Sequence, residues 1–211
     1  MRRSLAAPGG RCPIRFPPLK RVGLLAAFNS GFKLADAHGG FYEDGRTAQP
    51  LVAGAASMVF FTDGTMTVGQ WGRDVTMSPR VAAVRQNLVL LVDHAQVVPG
   101  IDANINQVWG ATIGNDKYVW RSGIGVTASG GIVEVVGPGL SADSLATLLQ
   151  KAGCTQAMEL DINPQWTSFV RYQATADPTN PTPINLLPTM QPPADRYTTT
   201  SSRDFITLHT R

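Results

Sequence analysis

The run SMVFFTDGTMTVGQW, Ser57 to Trp71, decides the fold class. Ser57 to Thr62 and Thr65 to Trp71 are strand-like, and Asp63-Gly64 between them accepts the positive φ of a tight turn. This is a β-hairpin. Tyr118 to Thr127 and Ile132 to Val136, joined through Ser129-Gly130-Gly131, read as a second one. Short apolar runs at Val22 to Phe28, Leu88 to Val92, Ala157 to Asp161 and Asp204 to Leu208 read as further strands.

One strong helix is expected from Ala142 to Ala152. Ser141 is a natural N-cap, Asp143 suits the positive end of the helix dipole, and Gly153 supplies a stop. Leu145, Leu148, Leu149 and Ala152 recur at helical spacing and form the expected apolar stripe. Pro79 to Gln86 reads as a short helix with Pro79 at an early position. Phe32 to Pro50, polar and rich in glycine, reads as a long surface loop, and 174–195, rich in Pro, Thr and Asn, as another. The expected class is α+β, with mixed, largely antiparallel sheets and one main amphipathic helix.

Length and composition fit a globular chain. Its 211 residues are 43% hydrophobic and 16% charged, enough for a substantial core. Residues 1–20 read as an irregular lead-in and 21–211 as a single domain. The net charge of +3 comes from scattered Lys and Arg, which speaks against nucleic acid and leaves room for an anionic ligand. No apolar run is long enough to span a bilayer, and the first residues lack the apolar segment of a signal peptide. Cys12 and Cys154 allow one disulfide or two free thiols; Cys154, entering an apolar segment, reads as a small buried residue.

The segment AMELDINPQW, Ala157 to Trp166, carries the most chemistry. On a strand, Glu159 and Asp161 share a face, with α-carbons about 6.5–7 Å apart. Two acids so placed suit acid/base work or stabilisation of a cationic sugar. Alternation on its own is ordinary, and a solvated sheet face also explains it. Asn29, just past the first strand and beside Ser30-Gly31, has the groups to bind a sugar hydroxyl or phosphate oxygen, although closing a turn is the commoner use. Arg121 in an apolar strand calls for an anion, either on a ligand or as an internal Asp or Glu, and the two readings weigh equally. His38 in the glycine-rich loop is within the reach of a site, with a surface role the commoner reading.

Other patterns fail. Gly123-Ile124-Gly125 leads into a hairpin and not the helix of a dinucleotide turn. Asp102, Asn104 and Asn106 open like a calcium loop, yet Gln107 and Ile113 stand where Gly and Glu are required. His38, His94 and His209 lack zinc-like spacing, so no metal or cofactor is expected.

Three elements in order resemble the phosphodiester glycosidase family. They are Asn29-Ser30-Gly31-Phe32 after the first strand, Arg121-Ser122-Gly123-Ile124-Gly125, and the helix, Gly153-Cys154 turn and Leu160-Asp161 strand end. The resemblance covers about residues 22–173. It implies hydrolysis of the C1–O bond of a sugar-1-phosphodiester, with an N-acetylglucosamine-like sugar on a cell-envelope or exopolymer substrate. On this reading Asp161 and Glu159 are expected as catalytic, and Asn29, Gly31, Arg121, Asn163, Trp166 and His38 in substrate binding. It also implies an extracellular or cell-surface protein whose start is truncated here.

The sequence departs from the family pattern after Asp161, where Ile162-Asn163-Pro164-Gln165-Trp166 replaces a run of glycines, and Glu159 stands where Asn is common. Pro and Trp build a stiffer, more sugar-like platform than glycines do. This points to a divergent branch with another substrate. The alternatives are a non-catalytic module that binds envelope glycopolymers, or a phosphodiesterase releasing sugar phosphate.

Overall fold

The computed structural model describes residues 18–103, 108–199 and 203–210. Cys12 and most of the lead-in lie outside the described residues, as do Asn104, Asn106 and Gln107. The described part divides into two compact units, one of residues 18–30 with 164–210, the other of residues 31–163.

The first strands are β1 (Leu24–Asn29), β2 (Phe41–Glu43), β3 (Arg46–Gln49), β4 (Ala56–Phe61) and β5 (Met66–Gln70). They continue as β6 (Val81–Gln86), β7 (Leu90–Asp93), β8 (Gln96–Val97), β9 (Val119–Thr127) and β10 (Ile132–Leu140). After the helix α1 (Ala142–Lys151) come β11 (Cys154–Ile162), β12 (Phe169–Gln173), β13 (Thr182–Asn185) and β14 (Phe205–His209). The strand pairings are antiparallel, and the class is α+β with strands dominant, as expected.

The unit of residues 31–163 holds two five-stranded sheets, ordered β3-β2-β6-β4-β5 and β10-β9-β11-β7-β8. The hairpin at Ser57 to Trp71 forms as β4 and β5, in register from Ala56↔Gln70 to Phe60↔Met66. Its turn is a bulged one: of Asp63 and Gly64 only Gly64 takes positive φ (83°), while Asp63 Oδ1 accepts from the Thr65 amide at 2.9 Å. The second expected hairpin is β9–β10.

Helix α1 packs on the second sheet. Ser141 caps it in a capping box completed by Ser144. The buried stripe is Ala142, Leu145, Ala146 and Leu149: Leu145 and Leu149 are buried as expected, whereas Leu148 is 43% exposed and Ala152 is exposed too. Both stripes have helical spacing; the observed one puts the small alanines against the sheet. Gly123 makes the approach possible, because a Cβ there would lie 3.0 Å from Leu149 Cδ1. The Gly123-Ile124-Gly125 pair is thus a packing feature of β9.

Three expectations are corrected. Pro79 to Gln86 is not a helix but contains β6, the central strand between β2 and β4. Its side chains are buried on both faces, with only Ala82 half-buried, so burial erases the alternation that would have revealed it. Phe32 to Pro50 is not a surface loop throughout: it carries β2 and β3, turning at Asp44-Gly45, and buries Phe32, Ala37 and Phe41. The stretch 174–195 contains β13, an edge strand, where Pro183 is tolerated.

The unit of 18–30 with 164–210 is a four-stranded sheet, β13-β12-β1-β14. Leu24, Ala27, Val170, Tyr172, Tyr197 and Phe205 form its core, and Phe28 stacks on Phe169 with centroids 5.7 Å apart. No helix among the described residues is long and apolar enough to cross a membrane.

Candidate active site at the end of strand β11

Strand β11 carries Glu159 and Asp161 inward. Glu159 is fully buried and Asp161 is 4% exposed, so they are not a solvated sheet face. Met158 and Leu160, on the alternate positions, are buried as well. The β9 pairing shifts register between Glu159 and Ile162, which breaks regular alternation at the acid-bearing end. There Asp161 Oδ1 accepts from the Ile162 amide at 3.0 Å, and Ser122 Oγ donates to the Asp161 carbonyl at 2.8 Å.

Arg121 takes the internal partner rather than standing open. It is fully buried on β9, and its Nη1 donates to Glu159 Oε1 at 2.5 Å. Nε donates to the Leu140 carbonyl at 3.1 Å, and Nη1 also reaches the Trp109 carbonyl at 3.4 Å. The pairing is end-on: Arg121 Nη2 and Glu159 Oε2 are buried without a partner. A bidentate fork would satisfy both. Burial pushes the Glu159 carboxyl up to about 7, against the pull of Arg121, and the negative charge of Asp161 adds to the rise.

Sequence reading missed a second polar group, Arg85-Gln86-Asn87 at the end of β6, where all three side chains are fully buried. Arg85 donates from Nη1 to the Gln86 carbonyl at 2.7 Å and from Nη2 to the Phe32 carbonyl. Gln86 Oε1 accepts from the amides of Gly40 at 2.7 Å and Val52 at 2.8 Å. Asn87 Oδ1 accepts from the Phe32 amide at 3.1 Å, while its Nδ2 donates to the carbonyls of Glu159 at 2.9 Å and Leu160 at 3.2 Å. Gly31 takes a φ of 146° and a Cβ there would lie 3.2 Å from Asn87 Cγ. The Gly31-Phe32 element and the acid-bearing strand are therefore joined by one amide.

A family model described as phosphodiester glycosidase matches residues 23–180 of the chain. The chain belongs to the phosphodiester glycosidase family. The match spans Asn29 to Phe32, Arg121 and all of β11. Among solved structures, it is similar to the catalytic domain of zebrafish N-acetylglucosamine-1-phosphodiester alpha-N-acetylglucosaminidase, auto-inhibited by pro-peptide. That likeness has a TM-score of 0.56 at 16% identity, covering 93% of this chain and 67% of the other. A hypothetical protein from Synechocystis is a more distant likeness, with a TM-score of 0.42 at 12% identity, covering 89% of this chain and 52% of that one. A comparison with curated proteins finds no match.

The remaining expected residues fall in different places. Asn163 takes a φ of 72°; its amide donates to the Trp120 carbonyl at 2.8 Å and its Oδ1 accepts from the Ile113 amide at 3.2 Å. His38 is exposed and lines an apolar cleft of about 350 Å³ with Val52, Ala55, Leu88, Val89 and Val108. Asn29 and Trp166 belong to the other compact unit. Asn29 Oδ1 accepts from the Ser168 amide at 2.8 Å, which ties the end of β1 to the lead of β12. Trp166 is 37% exposed, with the guanidiniums of Arg203 and Arg196 lying 4.8 and 5.9 Å from its ring centroid. Neither arginine stood out in the sequence. Cys154 is a buried thiol, pushed up by burial.

Proposed function

We propose that this family member hydrolyses the C1–O bond of a sugar-1-phosphodiester, releasing a free sugar and a phosphomonoester. The observation that carries the reading is the family match over residues 23–180, which includes the acid-bearing end of β11. In this reaction water forms a new bond to C1 while the C1–O bond to phosphorus breaks, and its electron pair leaves on the phosphate oxygen. The leaving group is already anionic, so the barrier lies in the cationic sugar and in activating water. Asp161 takes the proton of the attacking water and its charge stabilises the oxocarbenium-like carbon. Glu159 holds its place through Arg121, whose fixed cation favours a phosphodiester anion nearby.

Gly31, Asn163 and His38, in the unit that carries Asp161, are the proposed contacts to sugar and phosphate. Within the other unit, Trp166, with its flat ring and adjacent guanidiniums, suits an anionic sugar derivative. An N-acetylglucosamine-like sugar on an envelope or exopolymer, and a place outside the cell or at its surface, go with this reading.

The test is turnover in ¹⁸O-labelled water, with the products weighed by mass spectrometry. Free sugar together with a phosphomonoester that carries no label supports C1–O cleavage, because only attack at phosphorus would place water oxygen there. Label on phosphorus with sugar phosphate released makes the protein a phosphodiesterase, and binding without product makes it a glycopolymer-binding module.

A further inference from the structure

We infer that Asn87 is a positioning residue for the proposed reaction, holding the Gly31-Phe32 turn and the acid-bearing strand β11 in a fixed relation. The inference rests on the functional reading above and extends it to a residue outside the reacting groups.

Each polar atom of the Asn87 amide is used. Oδ1 takes the Phe32 amide, and Nδ2 divides its two hydrogens between the carbonyls of Glu159 and Leu160. Those carbonyls immediately precede Asp161 in the chain, so the bonds fix the backbone from which the Asp161 side chain departs. On the other side, the Phe32 amide lies next to Gly31, whose missing side chain leaves the space that Asn87 fills. Arg85 takes the Phe32 carbonyl, so both backbone groups of Phe32 are held from the end of β6.

The chemistry demands an amide here. The site offers one N–H to be accepted and two carbonyls to be donated to, within a fully buried pocket. Asp in its ionised form accepts but donates nothing, and faces two carbonyl oxygens with a negative charge. Protonated Asp regains one donor. Burial and the carbonyl oxygens would hold that carboxyl above the ordinary range, so the defect in Asn87→Asp grows as pH rises. A weakened fold would also lose activity as pH rises, so kcat is compared at each pH well below the variant's own thermal midpoint, where a purely structural defect leaves it unchanged.

The experiment measures kcat, KM and thermal midpoint on a sugar-1-phosphodiester for the wild type, Asn87→Ala, Asn87→Asp and a packing control, Val84→Ala. Val84 is buried on β6 in a separate apolar cluster. Small displacements of reacting groups reduce rates by about 10²-fold, so Asn87→Ala is expected to lose kcat on that order with KM changed little. Asn87→Asp is expected to recover activity as pH is lowered, relative to wild type. Val84→Ala is expected to lower the midpoint with kcat retained. An active wild type with Asn87→Ala at wild-type kcat, or with kcat lost equally in Val84→Ala, overturns the positioning role alone. A wild type that yields no free sugar overturns the functional reading, and the positioning role with it.

Discussion

Replacing Glu159 by Gln turns the buried ion pair into a measurable dependence of stability on pH. Glu159 is fully buried and its carboxyl is raised from an ordinary 4.5 to about 7, first by burial. The folded state therefore binds this proton more tightly than the unfolded chain. The stabilisation is fully present below pH 4.5, is lost as pH rises towards 7, and is gone above it. At about 1.4 kcal/mol per pH unit, the whole change is about 3 kcal/mol. Gln has nearly the shape of the protonated acid and does not titrate. At pH 4 the two proteins should have similar stability, and by pH 8 the Gln variant should have gained about 3 kcal/mol relative to wild type. Asp63, Asp74, Asp93 and Asp177 are all held below their ordinary range, so they titrate on the acid side of this window. They also cancel in the difference. Urea unfolding at fixed ionic strength across pH 4–8 reads the difference directly. A flat difference would mean an unshifted carboxyl, and a Gln variant that weakens as pH rises would mean that Arg121 holds Glu159 ionised at a net gain; either refutes the reasoning.

Glu134 on β10 buries both carboxyl oxygens without a partner, and burial alone pushes its carboxyl well above the ordinary value. Glu134→Gln should raise the urea midpoint at pH 8 and leave it nearly unchanged at pH 4, below the ordinary 4.5 of the group, in the same unfolding assay. Gly31→Ala meets Asn87 Cγ at 3.2 Å in a backbone region that disfavours a side chain, and should lower stability by about 1–3 kcal/mol in urea unfolding. Ser141→Ala removes the cap of α1 and should lower stability by about 1 kcal/mol, or about 2–4 °C in thermal midpoint by circular dichroism.

The elements legible in the sequence were those whose signal is local. The β4–β5 hairpin announces itself through Asp63-Gly64, and α1 through Ser141 and the spacing of its leucines. Even there the sequence held two overlapping apolar stripes that share Leu145 and Leu149, and the structure buries Ala142 and Ala146 with them rather than Leu148 and Ala152. Strand β6 was hidden because its side chains are buried on both faces and produce no alternation, and its Ala, Arg and Gln favour a helix. Asn29, Arg121, Glu159 and Asp161 stood out as polar residues at apolar strands or their ends. Their relations did not, because the Arg121–Glu159 pair joins residues 38 apart in the chain. Arg85, Gln86 and Asn87 were wholly illegible: three consecutive polar residues read as surface until Phe32, Gly40, Val52 and Glu159 supply their partners.

The central claim is that Asp161, at the end of β11, serves sugar-phosphodiester hydrolysis. Its most direct test is to incubate the wild type and Asp161→Asn with an α-N-acetylglucosamine-1-phosphodiester and measure free sugar by mass spectrometry. The account predicts free sugar and a phosphomonoester from the wild type, with the rate in the Asn variant reduced by about 10²–10⁴-fold. Full activity in Asp161→Asn, or no free sugar from the wild type, would contradict it.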